Sequence, residues 1–347
     1  MKIVVLAGGF STERNVSLSS SILICKALRE NGHQAVLVDA YLGISDGSLG
    51  SLFERLPPLP DGTIAEAAPD LAAIRAQRAD GGRSFFGPHV LELCTMADLV
   101  FIGLHGAGGE DGRIQAALDL MGIPYTGSGY LGAALAMDKD LTKQLVSAAG
   151  VNTPQWKVLP MEREALDTLS ETLLLPCAVK IHNGGSSIGV YLPKTREELR
   201  EALREAHRYG DKIIWEQFVE GREFSVGVLE AQSLPPIEII PKTGFYDYKN
   251  KYQPGATVEL CPAELTAEAD AALQTTALLV HKTLGLGVYS RCDFILDKQG
   301  TPWFLEVNTL PGMTPTSLLP QEAAAVGISY HALCERIVHA SLKLRQT

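Results

Sequence analysis

Two short runs near the C-terminus do most to limit what this chain can build: Tyr289-Ser-Arg-Cys-Asp-Phe-Ile-Leu296 and Trp303-Phe-Leu-Glu-Val-Asn308. Both are rich in β-branched, aromatic and aliphatic residues and read as strands. Asp297-Lys-Gln-Gly300 between them is a turn signal, so the pair reads as a hairpin. Pairing Leu296 with Thr301 would set Arg291 opposite Glu306, and period-2 alternation fixes the rest. Arg291, Asp293, Glu306 and Asn308 then share one face, while Cys292, Leu305 and Val307 take the other. An even turn is required; a three-residue loop would break the alignment. Two carboxylates and an amide on one face form an all-oxygen ligand set suited to a hard cation such as Mg²⁺. A cation held that way usually takes its remaining ligands from water and substrate phosphates, which points to phosphoryl chemistry. The competing reading is a solvated hairpin face with scattered charge.

A chain of 347 residues exceeds the size at which one core stops growing, so two or three domains are expected. Its composition, 46% hydrophobic and 20% charged, is that of a globular protein. A formal net charge of -10 argues against non-specific nucleic-acid binding. No apolar run is long enough to span a bilayer, and Ile3-Val-Val-Leu-Ala7 reads as a first strand rather than a signal peptide. The six cysteines are scattered, with no Cys-x-x-Cys, and read as reduced, mostly buried thiols in the cytosol.

The chain opens with strand Lys2–Ala7, a Gly8-Gly9 turn, a helix from about Ser17 to Glu30 capped by Asn31-Gly32, and a strand at Ala35–Val38. Residues 43–88 are dense in Pro, Gly and Asp and read as a surface insertion with one helix near Pro69–Arg78. A strand at Leu99–Leu104 and a helix from about Ile114 to Met121 resume the alternation. That alternation implies a parallel sheet with ligands at the strand C-termini, which draws attention to Gly8-Gly9 and His105-Gly106. A boundary is placed near Ala136. Beyond it come a helix (Lys139–Ala149), a strand (Cys177–Ile181), a Gly/Ser loop, a strand (Gly189–Tyr191), a charged helix (Arg196–His207) and a strand (Lys212–Glu216). Strands then dominate until the helix Ala267–Leu284, the hairpin and a final helix over Tyr330–Leu344.

Several stretches carry chemistry. In Asn183-Gly-Gly-Ser-Ser-Ile-Gly189 glycines and hydroxyls let backbone N–H groups approach a phosphate, although a plain flexible turn fits equally well. Lys180 at the end of the preceding strand favours the phosphate, and Lys139 and Lys251 are further cations. Glu216 and Glu223 could accept from an adenine amine and ribose hydroxyls, or be solvated crossover glutamates. Phe245-Tyr-Asp-Tyr-Lys-Asn-Lys-Tyr252 reads as a loop that covers a site. The Pro311-Gly312 turn could aim N–H groups at an oxyanion, and Thr316 and Ser317 could instead cap the next segment. Glu13 could hold a substrate ammonium, or sit as an ordinary carboxylate at a helix N-terminus.

Taken together, the motifs resemble those of one family. Gly8-Gly-x-Ser-x-Glu-Arg-x-Val-Ser17, His105-Gly-x-x-Gly-Glu-Asp-Gly112, Pro124-Tyr-Thr-Gly-Ser-Gly129, Met137-Asp-Lys139, Gly185-Ser-Ser-x-Gly189, the Phe245–Tyr252 loop, Arg291-x-Asp293 and Glu306-x-Asn-Thr-x-Pro-Gly-Met313 resemble the D-alanine–D-alanine ligases of the ATP-grasp superfamily. The likeness runs nearly end to end, apart from residues 43–88. It implies an α/β and α+β fold with three domains: 1–136, an N-terminal parallel-sheet α/β domain; 137–217, a central ATP-grasp subdomain; and 218–347, a C-terminal ATP-grasp domain. It implies that Lys139, Lys180, Ser187, Glu216, Val219 (by its backbone), Glu223 and Lys251 hold ATP. Asp293, Glu306 and Asn308 would bind two Mg²⁺ ions, with Mn²⁺ able to substitute. Glu13 would hold the first D-alanine's ammonium beside Val16 and His105. Arg291 and the Gly312 N–H would form the oxyanion hole, and Ser317 and Leu318 would hold the second D-alanine's carboxylate. Glu13, Ser186 and Tyr252 would form a hydrogen-bonded triad that closes the Tyr252 loop.

The activity so implied is ligation of two D-alanine molecules through an acyl phosphate, for peptidoglycan precursors, by a cytoplasmic homodimer that binds neither nucleic acid nor membrane. Tyr252 favours a dipeptide over the D-lactate ester. D-serine as second substrate and a non-catalytic ATP-binding regulator are rival readings. The stretch Ile181-His-Asn, Phe218 and Leu310 depart from the residues common at those places in the family.

Overall fold

The computed structural model describes residues 1–45, 49–61, 69–160, 166–182, 189–210, 212–244, 246, 250 and 255–345. Three sheets organise them. The first is parallel, in the order β2 (Gln34–Asp39), β1 (Lys2–Ala7), β3 (Leu99–Ile102). β1 is buried from Ile3 to Ala7 and β3 along its whole length. That is why both are unbroken apolar runs: helices cover both faces of a parallel sheet. The first helix spans Arg14–Glu30 and starts three residues before the expected Ser17, with Glu13 at its N-cap. It packs against the last helix, Tyr330–Arg345.

The second sheet is antiparallel, in the order β4 (Trp156–Pro160), β7 (Lys212–Gln217), β5 (Cys177–Ile181), β6 (Val190–Tyr191). Cys177, Val179, Ile213 and Trp215 turn towards the helix Arg196–His207 and its apolar stripe of Leu199, Ala202, Leu203 and Ala206. Strand alternation therefore sends Ala178, Lys180, Ile214 and Glu216 to the opposite face. Thr195 and Glu198 form a reciprocal capping box at that helix's start.

The third sheet is antiparallel and runs β11 (Thr257–Leu260), β10 (Ile237–Pro241), β8 (Arg222–Leu229), β12 (Tyr289–Leu296), β13 (Pro302–Asn308), with β9 (Gln232–Ser233) on β8. Phe224, Val226, Val228, Cys292, Phe294, Phe304 and Val307 pack on the helix Ala267–Thr283. Ser225, Gly227, Arg291, Asp293, Glu306 and Asn308 are left to the other face.

Three expectations need correction. Leu296 pairs with Pro302 rather than Thr301, and Arg291 lies opposite Asn308 rather than Glu306. The turn is odd, as the backbone bond from Asp297 N–H to the Thr301 carbonyl (3.1 Å) shows. An odd turn alone would have sent the acids to opposite faces. A β-bulge at Leu305 inserts one residue and restores the parity, so Asp293 faces Glu306 across the ladder. Leu305 is thereby released from the far face and lines a cavity. The stretch 43–88 is also more than a surface insertion: Phe53 is fully buried, and Leu49, Leu52, Leu56, Leu59, Phe85 and Phe86 pack on the first core. The helices Tyr130–Met137 and Leu318–Ala325 and strand β4 were not expected from the sequence.

All six cysteines are free, and only Cys261 is partly exposed. Among the described residues no helix is long and apolar enough to cross a membrane.

Candidate active site

Loops at the C-terminal ends of β1 and β3 build the first wall. They are tied together: Ser11 Oγ donates to the His105 carbonyl (2.8 Å) and Ser17 Oγ to the Gly103 carbonyl (2.7 Å). Glu13, at the first helix's N-cap, is buried beside them. Gly106 has φ 72° and lies so close that a Cβ there would sit 2.5 Å from Glu13 Oε2. His105 Nδ1 is 2.9 Å from the Leu310 carbonyl oxygen. A carbonyl only accepts, so Nδ1 carries the proton and Nε2 the lone pair. Nε2 is buried without a hydrogen-bond partner among the described residues. Burial lowers the His105 pKa, with Glu13 opposing, so the ring is neutral at neutral pH.

Glu110 belongs to this wall, although nothing in the sequence marks it beyond its place in the His105–Gly112 motif. Its Oε2 accepts from the Gly106 N–H (2.7 Å) and its Oε1 from the Leu310 N–H (3.4 Å). It thus bridges the loop after β3 to the loop after β13. Burial first, and the Glu13 charge second, push its pKa up to about 8. The one signal that could have found it is a charged residue inside a glycine-rich turn directly after a strand.

These residues close a cavity of about 150 Å³ that also takes in Val16, Tyr246, Arg291, Asn308, Gly312, Ser317 and Leu318. Ser317 is the N-cap of the helix Leu318–Ala325, but its side chain caps nothing. Its Oγ instead accepts from the Thr314 N–H (3.1 Å). It also lies where a Gly312 Cβ would stand, 2.9 Å away, so the Pro311-Gly312 turn and the helix start are pressed together.

A second cavity, about 130 Å³, lies between the second and third sheets. Ala178, Val190, Leu192, Phe218, Val219, Ile295 and Leu305 give it apolar walls, and Lys180, Glu216, Glu223, Asp293 and Glu306 supply charge. Lys180 Nζ donates to Glu216 Oε2 (2.6 Å), and Lys143 Nζ lies 3.1 Å from Glu216 Oε1. Burial works against all three charges, yet the two lysines hold the Glu216 carboxyl below its ordinary pKa and Glu216 holds Lys180 above its own. Lys143, with 0% side-chain exposure, loses that competition: burial brings its pKa down to about 8. The sequence did not single out Lys143; nothing marks it except its distance of one helical turn from Lys139.

The hairpin serves both cavities. The register pair Arg291–Asn308 lines the first, and the next pair towards the turn, Asp293–Glu306, lines the second. At a rise of about 3.3 Å per residue the two pairs stand roughly 7 Å apart. Arg291 grips Asp293 bidentately, Nε to Oδ1 at 2.9 Å and Nη2 to Oδ2 at 2.8 Å. Burial opposes the Arg291 charge, but Asp293 raises its pKa above the ordinary value. Ser225 Oγ also donates to Asp293 (2.7 Å), and Asn308 Nδ2 lies 3.3 Å from it. Lys139 Nζ lies 3.3 Å from Glu306 Oε2.

Among the described residues no group of three or more His, Cys, Asp and Glu side chains is placed to hold a metal. The hairpin offers two carboxylates and an amide oxygen. That hard-oxygen set fits a divalent cation which draws its other ligands from water and phosphate, provided Arg291 releases Asp293. Ser186, Ser187, Lys251 and Tyr252 lie outside the described residues, as do most of the two loops that carry them. Tyr246, from the second of those loops, is described: it donates to Glu259 (3.2 Å) and lines both cavities.

Known proteins resemble this chain in sequence and fold. Residues 2–128 match the family model described as D-ala D-ala ligase N-terminus, and residues 145–339 match D-ala D-ala ligase C-terminus. A D-alanine–D-alanine ligase of Pediococcus pentosaceus is 44% identical across 99% of this chain and 98% of its own length. One from Oleidesulfovibrio alaskensis is 41% identical across 99% of this chain and 97% of its own. The solved D-alanine–D-alanine ligase of Bacillus anthracis complexed with ATP superposes with a TM-score of 0.73 at 28% identity, covering 100% of this chain and 99% of that one. An N-terminal parallel sheet followed by two antiparallel sheets that grip a cavity between them is therefore the ATP-grasp architecture, and the chain belongs to the D-alanine–D-alanine ligase family.

Proposed function

We propose that the chain joins two D-alanine molecules into D-alanyl-D-alanine with ATP, through an acyl phosphate. The observation that carries this reading is the hairpin face shared by two cavities, one lined with groups for an amino acid and the other a slot with apolar walls and a lysine at one end. We read 1–136, 137–217 and 218–347 as three units, with the nucleotide between the second and third and the first amino acid at the inner wall of the first.

Lys180 in the second cavity and Lys139, which pairs with Glu306 at the hairpin, face the nucleotide phosphates. The Val219 backbone and the Glu223 carboxylate take the base and ribose. Glu216, engaged by two lysines, acts by fixing where Lys180 stands. Asp293, Glu306 and Asn308 would hold Mg²⁺, as two ions, which when bound neutralises charge on the terminal phosphates. In the first cavity Glu13 receives the first D-alanine's ammonium beside Val16 and His105. The carboxylate of that first D-alanine attacks the γ-phosphorus; the P–O bond to ADP breaks and an acyl phosphate forms. The second D-alanine lays its carboxylate at Ser317 and Leu318, at the positive end of a helix. His105 Nε2, unprotonated and buried, is the acceptor for a proton from its ammonium. The freed amine attacks the acyl carbon, Arg291 and the Gly312 N–H take the oxyanion, the C–O bond breaks and phosphate leaves. Ser186, Ser187, Lys251 and Tyr252 are read as parts of the loops that close over this sequence of steps. The protein is further read as a cytoplasmic homodimer, which sedimentation at micromolar concentration tests.

The deciding experiment measures phosphate release from ATP and the product formed with D-alanine, L-alanine and D-lactate supplied separately. Dipeptide from D-alanine alone is expected. Product from L-alanine, or an ester with D-lactate at neutral pH at a comparable rate, overturns the assignment.

A further inference from the structure

Glu322 sits in the helix Leu318–Ala325, one turn after Leu318, and is 0% exposed. Neither of its carboxyl oxygens has a side-chain partner among the described residues, and the Gly227 backbone is the one polar group beside them. Burying a carboxyl with no side chain to pair with is costly, and an apolar side chain of that volume would make a more stable core. Its location is specific. A Cβ on Gly227 would lie 2.3 Å from Glu322 Oε2, so the carboxyl occupies the side-chain space of position 227. Gly227 is the register partner of Arg291 on β12. Directly opposed residues of an antiparallel pair project to the same face with Cβ atoms about 5 Å apart. The Glu322 carboxyl therefore stands beside the Arg291 stem, on the face that carries Asp293 and Asn308. Arg291 is the charge that most offsets the effect of burial on Glu322, and Asp293 adds to it.

In the structure Arg291 spends its guanidinium on Asp293. On the functional reading above, Asp293 must turn to a cation and Arg291 to an oxyanion. A buried guanidinium stripped of its acceptor is strongly penalised, and a carboxyl accepts hydrogen bonds in either protonation state. We propose that Glu322 is a positioning residue that receives Arg291 when Asp293 lets go, keeping the guanidinium on the amino-acid side of the hairpin while the bond forms. The same helix presents Ser317 and Leu318, so seating the second amino acid and fixing Arg291 become movements of one element. The inference rests on the ligase reading.

The test compares Glu322→Met, which removes the acceptor at similar volume, with Glu322→Gln, which keeps one acceptor. Dipeptide formation from D-alanine and ATP is followed in the full chain, together with KM for ATP and Tm. Glu322→Met is expected to lower kcat about tenfold or more, leave KM for ATP within threefold, and leave Tm unchanged or raised. Glu322→Gln is expected to fall between it and the wild type in kcat. A Met variant within threefold of wild-type kcat overturns the proposal, as does a kcat loss that comes with a lower Tm or weaker ATP binding, or a Gln variant no faster than Met. A wild-type protein that makes no dipeptide would instead refute the ligase reading itself.

Discussion

Replacing Lys143 with methionine gives the sharpest check on the charge cluster at the second cavity. Lys143, Glu216 and Lys180 carry two positive charges and one negative, with side-chain exposures of 0%, 1% and 9%. Lys143→Met removes the 3.1 Å pair with Glu216 and the 2.6 Å contact with Thr153. Glu216 keeps Lys180, and Thr153 still donates to the Phe304 carbonyl at 2.9 Å. The Glu216 carboxylate loses the contact at Oε1 but keeps a lysine on Oε2, so the loss should be about 1 kcal/mol. Lys180→Met should cost a similar amount in stability, because Lys143 remains. The double variant strands the Glu216 carboxylate, and removing the last partner of a buried charge costs about 3–5 kcal/mol. Urea denaturation of the four proteins should therefore show a coupling of about 2 kcal/mol beyond the sum of the single losses. The pH dependence follows from the same competition. The Lys143 pKa is depressed from 10.5 to about 8 in the folded chain. Between those values the unfolded chain holds a proton that the folded one has lost, so wild-type stability should rise with pH in that window. Lys143→Met should lack that rise. Single losses that simply add, or a rise that persists in Lys143→Met, would refute the picture of two lysines sharing one carboxylate.

Arg291→Ala should reduce turnover by about 10²-fold or more in the dipeptide assay, as removal of an oxyanion donor typically does; near-normal turnover refutes the role. Glu110 keeps its proton up to about pH 8 in the folded chain against an ordinary 4.5. Its contribution to stability is therefore complete below about pH 4.5 and falls away as the pH rises towards about 8, by up to about 1.4 kcal/mol per pH unit. Thermal melts of Glu110→Gln should lose that slope, and an unchanged slope would show that another group sets it. Gly106→Ala adds a Cβ 2.5 Å from Glu13 Oε2 at φ 72°. With about 1–2 kcal/mol of backbone strain, D-alanine affinity should drop about tenfold while ATP affinity holds; equal losses for both would sink the assignment of Glu13 to the amino acid.

The order of elements was largely legible because most segments carry a single clear period. Cys177–Ile181 and Arg196–His207 begin and end where their patterns do. Alternation also made the face legible within each strand of the hairpin, but that the acids of both strands share one face follows only because the odd turn and the bulge offset each other. The register was not legible. A turn of odd length and a bulge are two local events whose effects cancel, and neither leaves a compositional mark. Residues 43–88 misled because their many turn formers hide single anchors such as Phe53. Glu110, Lys143 and Glu322 leave no local mark because each meets a residue distant in the chain: Leu310, Glu216 and Gly227. Tertiary placement, rather than local pattern, makes a buried charge informative.

The cancellation in the hairpin has an evolutionary corollary. Lengthening or shortening the Asp297–Thr301 connection by one residue would rotate Glu306 and Asn308 off the face that carries Arg291 and Asp293, and so would deleting Leu305. Making both changes together should leave the acids where they are. Insertions and deletions in this stretch should therefore survive in relatives only as compensated pairs, a grammar of spacing that single-site substitution scans would never reveal.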